Sequence, residues 1–184
     1  MKYLQTRFYT SLVQLFSILA VCIGATGSLA ADFPTEPMIA IDSSGNQVAV
    51  WEVDGATSTS IQAAVFESSS WGAPTTISGS QNAFLPQLIV NDSGNTIAAW
   101  FFIDEVNSVY SIATSMLSPT TGIWSPPEVV STTDEDVSDF QLKMNGSGQV
   151  ALIWTSYNAT TTDISTWAST ASFGGSWGTP VELY

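Results

Sequence analysis

The chain repeats one pattern three times, and this repetition limits the possible folds more than any other feature. Three segments align without gaps, and each places a glycine six residues before a tryptophan: PMIAIDSSGNQVAVW at 37–51, PQLIVNDSGNTIAAW at 86–100 and FQLKMNGSGQVALIW at 140–154. A tryptophan followed closely by proline comes after each segment, at Trp71, Trp124 and Trp177, with a constant spacing of 53 residues. A period of this length predicts a few similar units that together bury one continuous core.

Each unit, about 37–85, 86–139 and 140–184, predicts four short strands. The first strand ends in a turn rich in Asp, Asn, Ser and Gly, which favours a hairpin. The second is apolar at nearly every position: 48–51, 97–102 and 150–154. The third alternates, as in Ile61, Ala63 and Val65, which is typical of a half-exposed strand. The fourth is short and follows a proline, as suits an edge strand.

The second strand favours one architecture over its main alternative. Apolar residues on both faces indicate that both faces are covered, as happens when four-stranded blades stack around a channel in a β-propeller. The alternative is a β-trefoil, which also has three four-stranded units. In a trefoil we would expect the second strand to alternate as well, so the pattern favours the propeller.

The repeat resembles a known family. The pattern D/N-x-x-G-N/Q-x-V/I-A-x-W, followed by W-x-x-P, is similar to the repeat of secreted bacterial β-propellers, including propeller lectins and sialidase-like blades. The resemblance implies an all-β fold of three four-stranded antiparallel blades. Closed propellers usually have about four to eight blades, so three blades make a partial ring. We therefore expect either self-association or further blades to complete it.

The first thirty residues differ from the rest and predict a signal peptide. Lys2 and Arg7 precede an apolar stretch at 12–23, and the small residues Ser28 and Ala30 suit a signal peptidase. The expected products are a cleaved segment at 1–30 and a β-repeat domain at 31–184. We expect the mature domain outside the cytoplasm, secreted or periplasmic, with no membrane contact after cleavage.

The charge of the repeat domain excludes several functions. Residues 31–184 contain sixteen acidic residues and one cation, Lys143, which gives a formal net charge of −15. Such a chain repels phosphate backbones, so a nucleic-acid partner is excluded. The domain has no Arg, His or Cys, which excludes an arginine cluster for acidic sugars, a Ser-His-Asp triad and thiolate or imidazole metal sites. We expect no cofactor and no metal.

A pair of carboxylates remains available for glycoside hydrolysis, which needs only two acidic residues beside a sugar. Glu52 and Asp54 follow the second strand of the first unit, and Asp104 follows that of the second. The simpler interpretation is that they are solubilising loop residues. The acidic run at 132–139 likewise fits a solvated loop better than a calcium loop, because the spacing of calcium ligands is missing.

Aromatic rings offer another way to bind sugar. Trp and Tyr rings have an apolar face and a polar handle, and the family resemblance implies clefts between blades as the place for them. Phe102 and Tyr157, which follow the repeated tryptophans, are the weak candidates for such contacts. We expect the six repeated tryptophans themselves to pack blade against blade.

The sequence thus predicts no catalytic residue and supports three functional interpretations. The first is a secreted, non-enzymatic binding or scaffold module that recognises neutral glycan or a protein partner. The second is a glycoside hydrolase that uses a carboxylate pair. The third is a truncated propeller without an activity of its own.

Overall fold

The computed structural model describes residues 32–131 and 135–184, which form three antiparallel sheets and no helix. The predicted signal peptide and residues 132–134 of the acidic run lie outside the described residues. Within the described part of the chain, no helix is long and apolar enough to cross a membrane.

The first blade comprises β1 (Phe33–Ile41), β2 (Gln47–Asp54), β3 (Thr59–Glu67), β4 (Ser70–Trp71) and β5 (Thr75–Thr76). The second comprises β6 (Ala83–Val90), β7 (Thr96–Asp104), β8 (Val109–Leu117) and β9 (Glu128–Val129). The third comprises β10 (Asp136–Met144), β11 (Gln149–Tyr157), β12 (Ile164–Ser172) and β13 (Val181–Glu182).

The strands of each blade follow one another in chain order, with the fourth position at the outer edge. The first strands β1, β6 and β10 are neighbours across the blades. This arrangement confirms three four-stranded antiparallel blades of a partial β-propeller, with β4 as a small addition to the first. The trefoil alternative is wrong, because the strands form three separate sheets that pack face to face. Each first strand begins ahead of the unit boundary expected from the sequence.

The hairpin between the first and second strand is built in the same way in each blade. Oδ1 of Asp42 accepts hydrogen bonds from the backbone N–H groups two and four residues later, each at 2.9 Å. Asn91 and Asn145 make the same pair of contacts. A glycine with φ between 77° and 87° follows in every copy, at Gly45, Gly94 and Gly148. Turn geometry therefore explains these repeated residues.

Each blade has two faces, and the blades stack by one rule. We call the face that carries Trp51, Trp100 or Trp154 the tryptophan face, and the other the reverse face. Trp100 packs with Val48, Val50 and Ile61 from the reverse face of the first blade. Trp154 packs in the same way against the reverse face of the second blade. Every tryptophan face that is covered thus lies on the reverse face of the preceding blade.

The prediction that the second strand is covered on both sides holds for the middle blade only. In β7, Ile97, Ala98, Ala99 and Trp100 are all fully buried. In β11 burial alternates, because the reverse face of the third blade has no sheet over it. In β2 the tryptophan face is half-buried for the corresponding reason. Apolar residues on both faces therefore indicate which faces of a blade are suited to packing. Within the described residues, the middle blade alone has a neighbouring blade on each side.

The predicted alternation of the third strand is wrong for β8. All residues from Ser111 to Leu117 are buried, because β8 also belongs to the middle blade. In β3 and β12 burial is more mixed, since one face of each lies at an end of the stack.

Candidate functional site

The second set of repeated tryptophans lies at the outer edge of the blades. In each copy the residue after the tryptophan donates its backbone N–H to the third strand: Gly72 to Val65 at 2.9 Å, Ser125 to Met116 at 2.8 Å and Gly178 to Thr170 at 2.9 Å. Trp71 is 44% exposed, and Trp124 and Trp177 are half-buried. Trp124 and Trp177 pack against the clusters between the blades, as expected of the repeated tryptophans, and both also reach the surface; Trp71 is the most exposed of the three.

A cleft lies between the first and second blades at this edge. Its volume is about 380 Å³. The first blade supplies Val65, Glu67, Ser70 and Thr75, and the second blade supplies the ring of Trp124. An aromatic ring beside hydroxyl and carboxylate groups is thus open to solvent.

A second cleft lies between the second and third blades, with a volume of about 560 Å³. The second blade supplies Thr114, Met116, Ser125 and Glu128, and the third blade closes the cleft with residues 173–176. Trp124 also lines this cleft. It is the aromatic residue that the two clefts share.

The two clefts are copies of one feature. When the blades are aligned on their tryptophans, Thr114, Met116 and Glu128 occupy the positions of Ala63, Val65 and Thr75. At the second boundary, the hydroxyl of Thr114 and the carboxylate of Glu128 hold one wall of the cleft in place. The indole N–H of Trp177 donates to Oγ1 of Thr114 at 2.8 Å, and its backbone N–H donates to Oε1 of Glu128 at 3.1 Å. Sequence reasoning identified Trp124 and Trp177 only as landmarks. The signal that could have found them is the proline after each, which marks an edge.

The acidic candidates lie at the opposite end of the strands. Glu52 is 8% exposed, and its Oε2 accepts the backbone N–H of Leu85 at 2.9 Å. That N–H is free because β6 has a bulge at Leu85, where φ is 52°. Burial raises the pKa of Glu52, and the negative charges of Asp54 and Glu36 raise it further, while the Leu85 hydrogen bond opposes both. Glu52 therefore links the first blade to the second and resists ionisation.

Asp54 lies two residues beyond Glu52 on the same reverse face, so the structure brings these two candidates together. The carboxylate of Asp104 instead makes its contacts within the loop that follows β7. It accepts hydrogen bonds from the side chain of Asn107 at 2.8 Å and the backbone of Val106 at 2.9 Å. These bonds, the Asn107 side chain first, lower the pKa of Asp104, as expected of a turn residue.

The aromatic candidates have different surroundings from each other. Phe102 is buried among the side chains between the first and second blades, which removes it from the surface. Its neighbour Phe101 points to the other side and packs edge-on against Phe140 of the third blade, with ring centroids 4.8 Å apart. Tyr157 is half-buried at the end of β11, on the uncovered reverse face of the third blade.

The described part of the acidic run has partners within the third blade and also in the second, since Oδ1 of Asp136 accepts the backbone N–H of Tyr110 at 2.8 Å. Glu135 accepts the indole N–H of Trp167 at 3.1 Å and the hydroxyl of Ser156. Within 32–131 and 135–184, no three acidic side chains lie close enough to hold a metal ion. Glu135 is thus a packing residue of the blade.

The chain is similar in structure to several larger enzymes. These include the GH93 α-L-arabinofuranosidase of Fusarium graminearum in complex with arabinobiose (TM-score 0.58, 14% identity, 81% of this chain and 48% of that chain). The polysaccharide lyase Uly1 (0.56, 8%, 82% and 40%) and an endo-arabinase from Bacteroides thetaiotaomicron (0.51, 14%, 80% and 61%) are also similar. The chain spans about half the length of these proteins. At such identities the likeness shows the propeller fold alone. No protein-family model matches the chain, and no curated protein matches it in sequence.

Proposed function

We propose that the protein is a secreted binding module that recognises neutral glycan in the clefts between its blades. The observation that carries this proposal is the repeated cleft, in which Trp124 lies beside hydroxyl and carboxylate groups. The volumes of about 380 and 560 Å³ fall within the usual range of small-ligand sites, roughly 300–1,000 Å³. Structural neighbours that act on arabinan and other polysaccharides are consistent with a carbohydrate partner. The predicted signal peptide at 1–30 supports the proposal of secretion.

The chemistry of the clefts suits an uncharged sugar. An indole ring covers the apolar C–H face of a pyranose or furanose, while Ser, Thr and Glu side chains hydrogen-bond its hydroxyl groups. Glu67 lines the first cleft and Glu128 the second, and these carboxylates repel uronic and sialic acids. The described residues contain no arginine that would compensate that repulsion. A neutral glycan is therefore the ligand class that fits both the ring and the charge.

Calorimetric titration tests the proposal. Arabinobiose and other neutral oligosaccharides are the probes, and an oligosaccharide of uronic acids is the charged comparison. We expect binding of a neutral probe and none of the charged one.

Trp124→Ala should weaken binding at least tenfold, since one stacking contact contributes on the order of 1 kcal/mol beyond its buried area. Tyr110→Ala is the matched control, because Tyr110 is also exposed but lies outside both clefts. Thermal unfolding of each variant checks that it folds. Failure of every neutral probe, or equal loss in the control, contradicts the proposal.

A second function is favoured by one observation, the raised pKa of buried Glu52 beside Asp54. A carboxyl group whose pKa is raised is better suited than an ordinary one to act as the general acid of a glycosidase, with a second carboxylate as its partner. Against this function, Oε2 of Glu52 already accepts the N–H of Leu85. Reducing-sugar release from neutral polysaccharide distinguishes the two. Hydrolysis that Glu52→Gln abolishes and Trp124→Ala only weakens would establish the enzyme in place of the binding module.

A further inference from the structure

Within residues 32–131 and 135–184, no sheet covers the face at either end of the stack of blades. At one end lies the tryptophan face of the first blade, where Ile39 is 63% exposed and Trp51 is half-buried. The residues at the same positions of the next blade, Leu88 and Trp100, are buried. This end face is therefore apolar like an interior surface, although Ile39 is exposed on it.

At the other end lies the reverse face of the third blade. Ala151 is exposed and Ile153 is 42% exposed, whereas their counterparts in the second blade, Ile97 and Ala99, are fully buried. Lys143 pairs with Ala151 across the strands and so lies on this face as well. Among the described residues, the opposite end face, with Ile39, Ala49 and Trp51, has no basic residue that would repel Lys143.

These end faces are the two components of the interface that the chain already forms twice. Inside the chain, a tryptophan face always lies on a reverse face. One copy leaves one of each uncovered. We infer that two copies of the chain close into a six-bladed ring, in which the third blade of each copy packs on the first blade of the other.

The requirement that the blades form a closed ring determines how many copies of the chain assemble. Two contacts related by a twofold axis satisfy both end faces, and such dimers are the commonest symmetric assemblies. Six blades fall within the usual range of about four to eight, whereas one copy gives three and three copies give nine. A head-to-tail contact that did not close would instead extend into a filament.

The dimer also completes two further clefts, a consequence that rests on the proposed function. At the new boundary Trp71 of the partner would take the position that Trp124 holds in the first cleft and that Trp177 holds beside Thr114 at the second boundary. Ala168, Thr170 and Val181 occupy the positions of the residues that face those tryptophans. Trp71 is the most exposed of the three, as expected of a residue whose neighbour is a second copy. A ring would thus carry six clefts, two of them shared between copies.

The first test is the mass in solution without any sugar, so that its outcome is independent of the glycan proposal. Light scattering of the purified protein should give twice the mass of one chain. Ile39→Asp and, separately, Ile153→Asp should each give a monomer, because a buried carboxylate would face an apolar surface. Val106→Asp is the matched control, at a highly exposed apolar residue in a loop outside both end faces. A monomeric parent protein, or open polymers of increasing length, would overturn the inference.

A cysteine pair tests the geometry of the contact. At the existing boundaries the hairpin turns of neighbouring blades meet. Oγ of Ser43 donates to the carbonyl of Asp92, at the equivalent position of the next blade, at 3.3 Å, and Nδ2 of Asn91 donates to that of Gly146 at 3.4 Å. The same rule places Gly146 beside Ser43 of the other copy. A Cβ at Gly146 meets nothing within 4 Å, so the site accepts a side chain. The double variant Ser43→Cys/Gly146→Cys should form a covalent dimer on mild oxidation. Each single variant should not, and equal crosslinking in the single variants or none in the double variant would refute the arrangement.

Discussion

The middle blade and the two outer blades carry the same sequence pattern in different surroundings. Trp100 is fully buried and Trp51, at the same position of the repeat, is only half-buried. Their local structure is alike, because both follow the same hairpin and lie in the second strand. The difference comes from the neighbouring blade alone. A repeat therefore specifies which faces are made to stack, while the number of blades decides which of them are covered.

The two boundaries between blades also differ from each other. At the first, Glu52 bridges to the bulge at Leu85. At the second, the equivalent position is Phe101, which packs on Phe140. One boundary is joined by a buried carboxylate and the other by aromatic rings. Stability and its pH dependence should therefore be distributed unevenly along the stack.

The largest expected effect separates the repeated tryptophans. Trp100→Ala and Trp154→Ala should each lower the free energy of unfolding by about 3–5 kcal/mol, because both leave a large cavity in a packed interface. Trp51→Ala should cost clearly less at protein concentrations where single chains predominate, since half of its surroundings are water. Denaturant titration of the three variants measures the difference. If the ring forms, the cost of Trp51→Ala rises with protein concentration.

An equal loss for all three tryptophans in dilute protein would contradict the comparison. It would mean that the end face is covered by something within the same chain. All three variants replace the same residue type at the same position of the repeat. Intrinsic strand preference therefore affects their free energies of unfolding equally. Each therefore serves as the control for the others.

Much of the fold could be predicted from the sequence because its signals are local. Glycine, Asp and Asn in the hairpin turns act through their own backbone contacts, and all three hairpins appear where the pattern placed them. The burial of a strand, in contrast, depends on neighbouring blades that are distant in sequence. The side chains of Phe101 and Phe102 alternate in direction, yet both lie inside the stack, since the middle blade has a neighbour on either side. The sequence alone therefore offered Phe102 as a surface residue.

The candidate site was less predictable for a related reason. A cleft between blades takes residues that lie far apart in the chain, such as Thr114 and Trp177, which are 63 positions apart. Their meeting depends on how the blades stack. The raised pKa of Glu52 likewise depends on burial by the second blade, together with Asp54 and Glu36. Residue type indicated that a carboxylate pair was available, but only the packing separated Glu52 from Asp104.

A smaller effect distinguishes the hairpin glycines. Gly45 and Gly148 both have positive φ, so alanine should cost roughly 1–2 kcal/mol at either through the strained backbone. At Gly148 a Cβ would also lie 3.2 Å from Nδ2 of Asn95, in the second blade, and 3.3 Å from Cβ of Phe173. At Gly45 it would meet nothing within 4 Å. Gly148→Ala should therefore be the more destabilising by about 1 kcal/mol, as measured by thermal unfolding. The reverse order would show that the third blade is packed more loosely on the second than its contacts indicate.

The smallest expected effect concerns the charge of Glu52 and depends on pH. Because folding raises the pKa of Glu52 above its ordinary 4.5, the folded state binds more protons than the unfolded chain between the two pKa values. The contribution of Glu52 to the free energy of unfolding therefore declines as the pH rises through that interval. It is least favourable once Glu52 ionises in the folded protein. Glu52→Gln removes the charge and leaves an oxygen that can accept the N–H of Leu85. The variant should gain stability relative to the parent protein as the pH rises.

Asp42→Asn is the matched control, since Asn already occupies the equivalent turn positions 91 and 145. The Asn46 side chain, more than the neighbouring backbone N–H groups, lowers the pKa of Asp42 below 3.8. Its carboxylate therefore stabilises the fold above the unfolded pKa, and this contribution is lost as the pH falls through the folded one. The two variants should thus show opposite trends with pH in denaturant titrations. If Glu52→Gln follows the trend of Asp42→Asn, the carboxylate at the first boundary is not desolvated by the second blade, and the two boundaries differ only in shape.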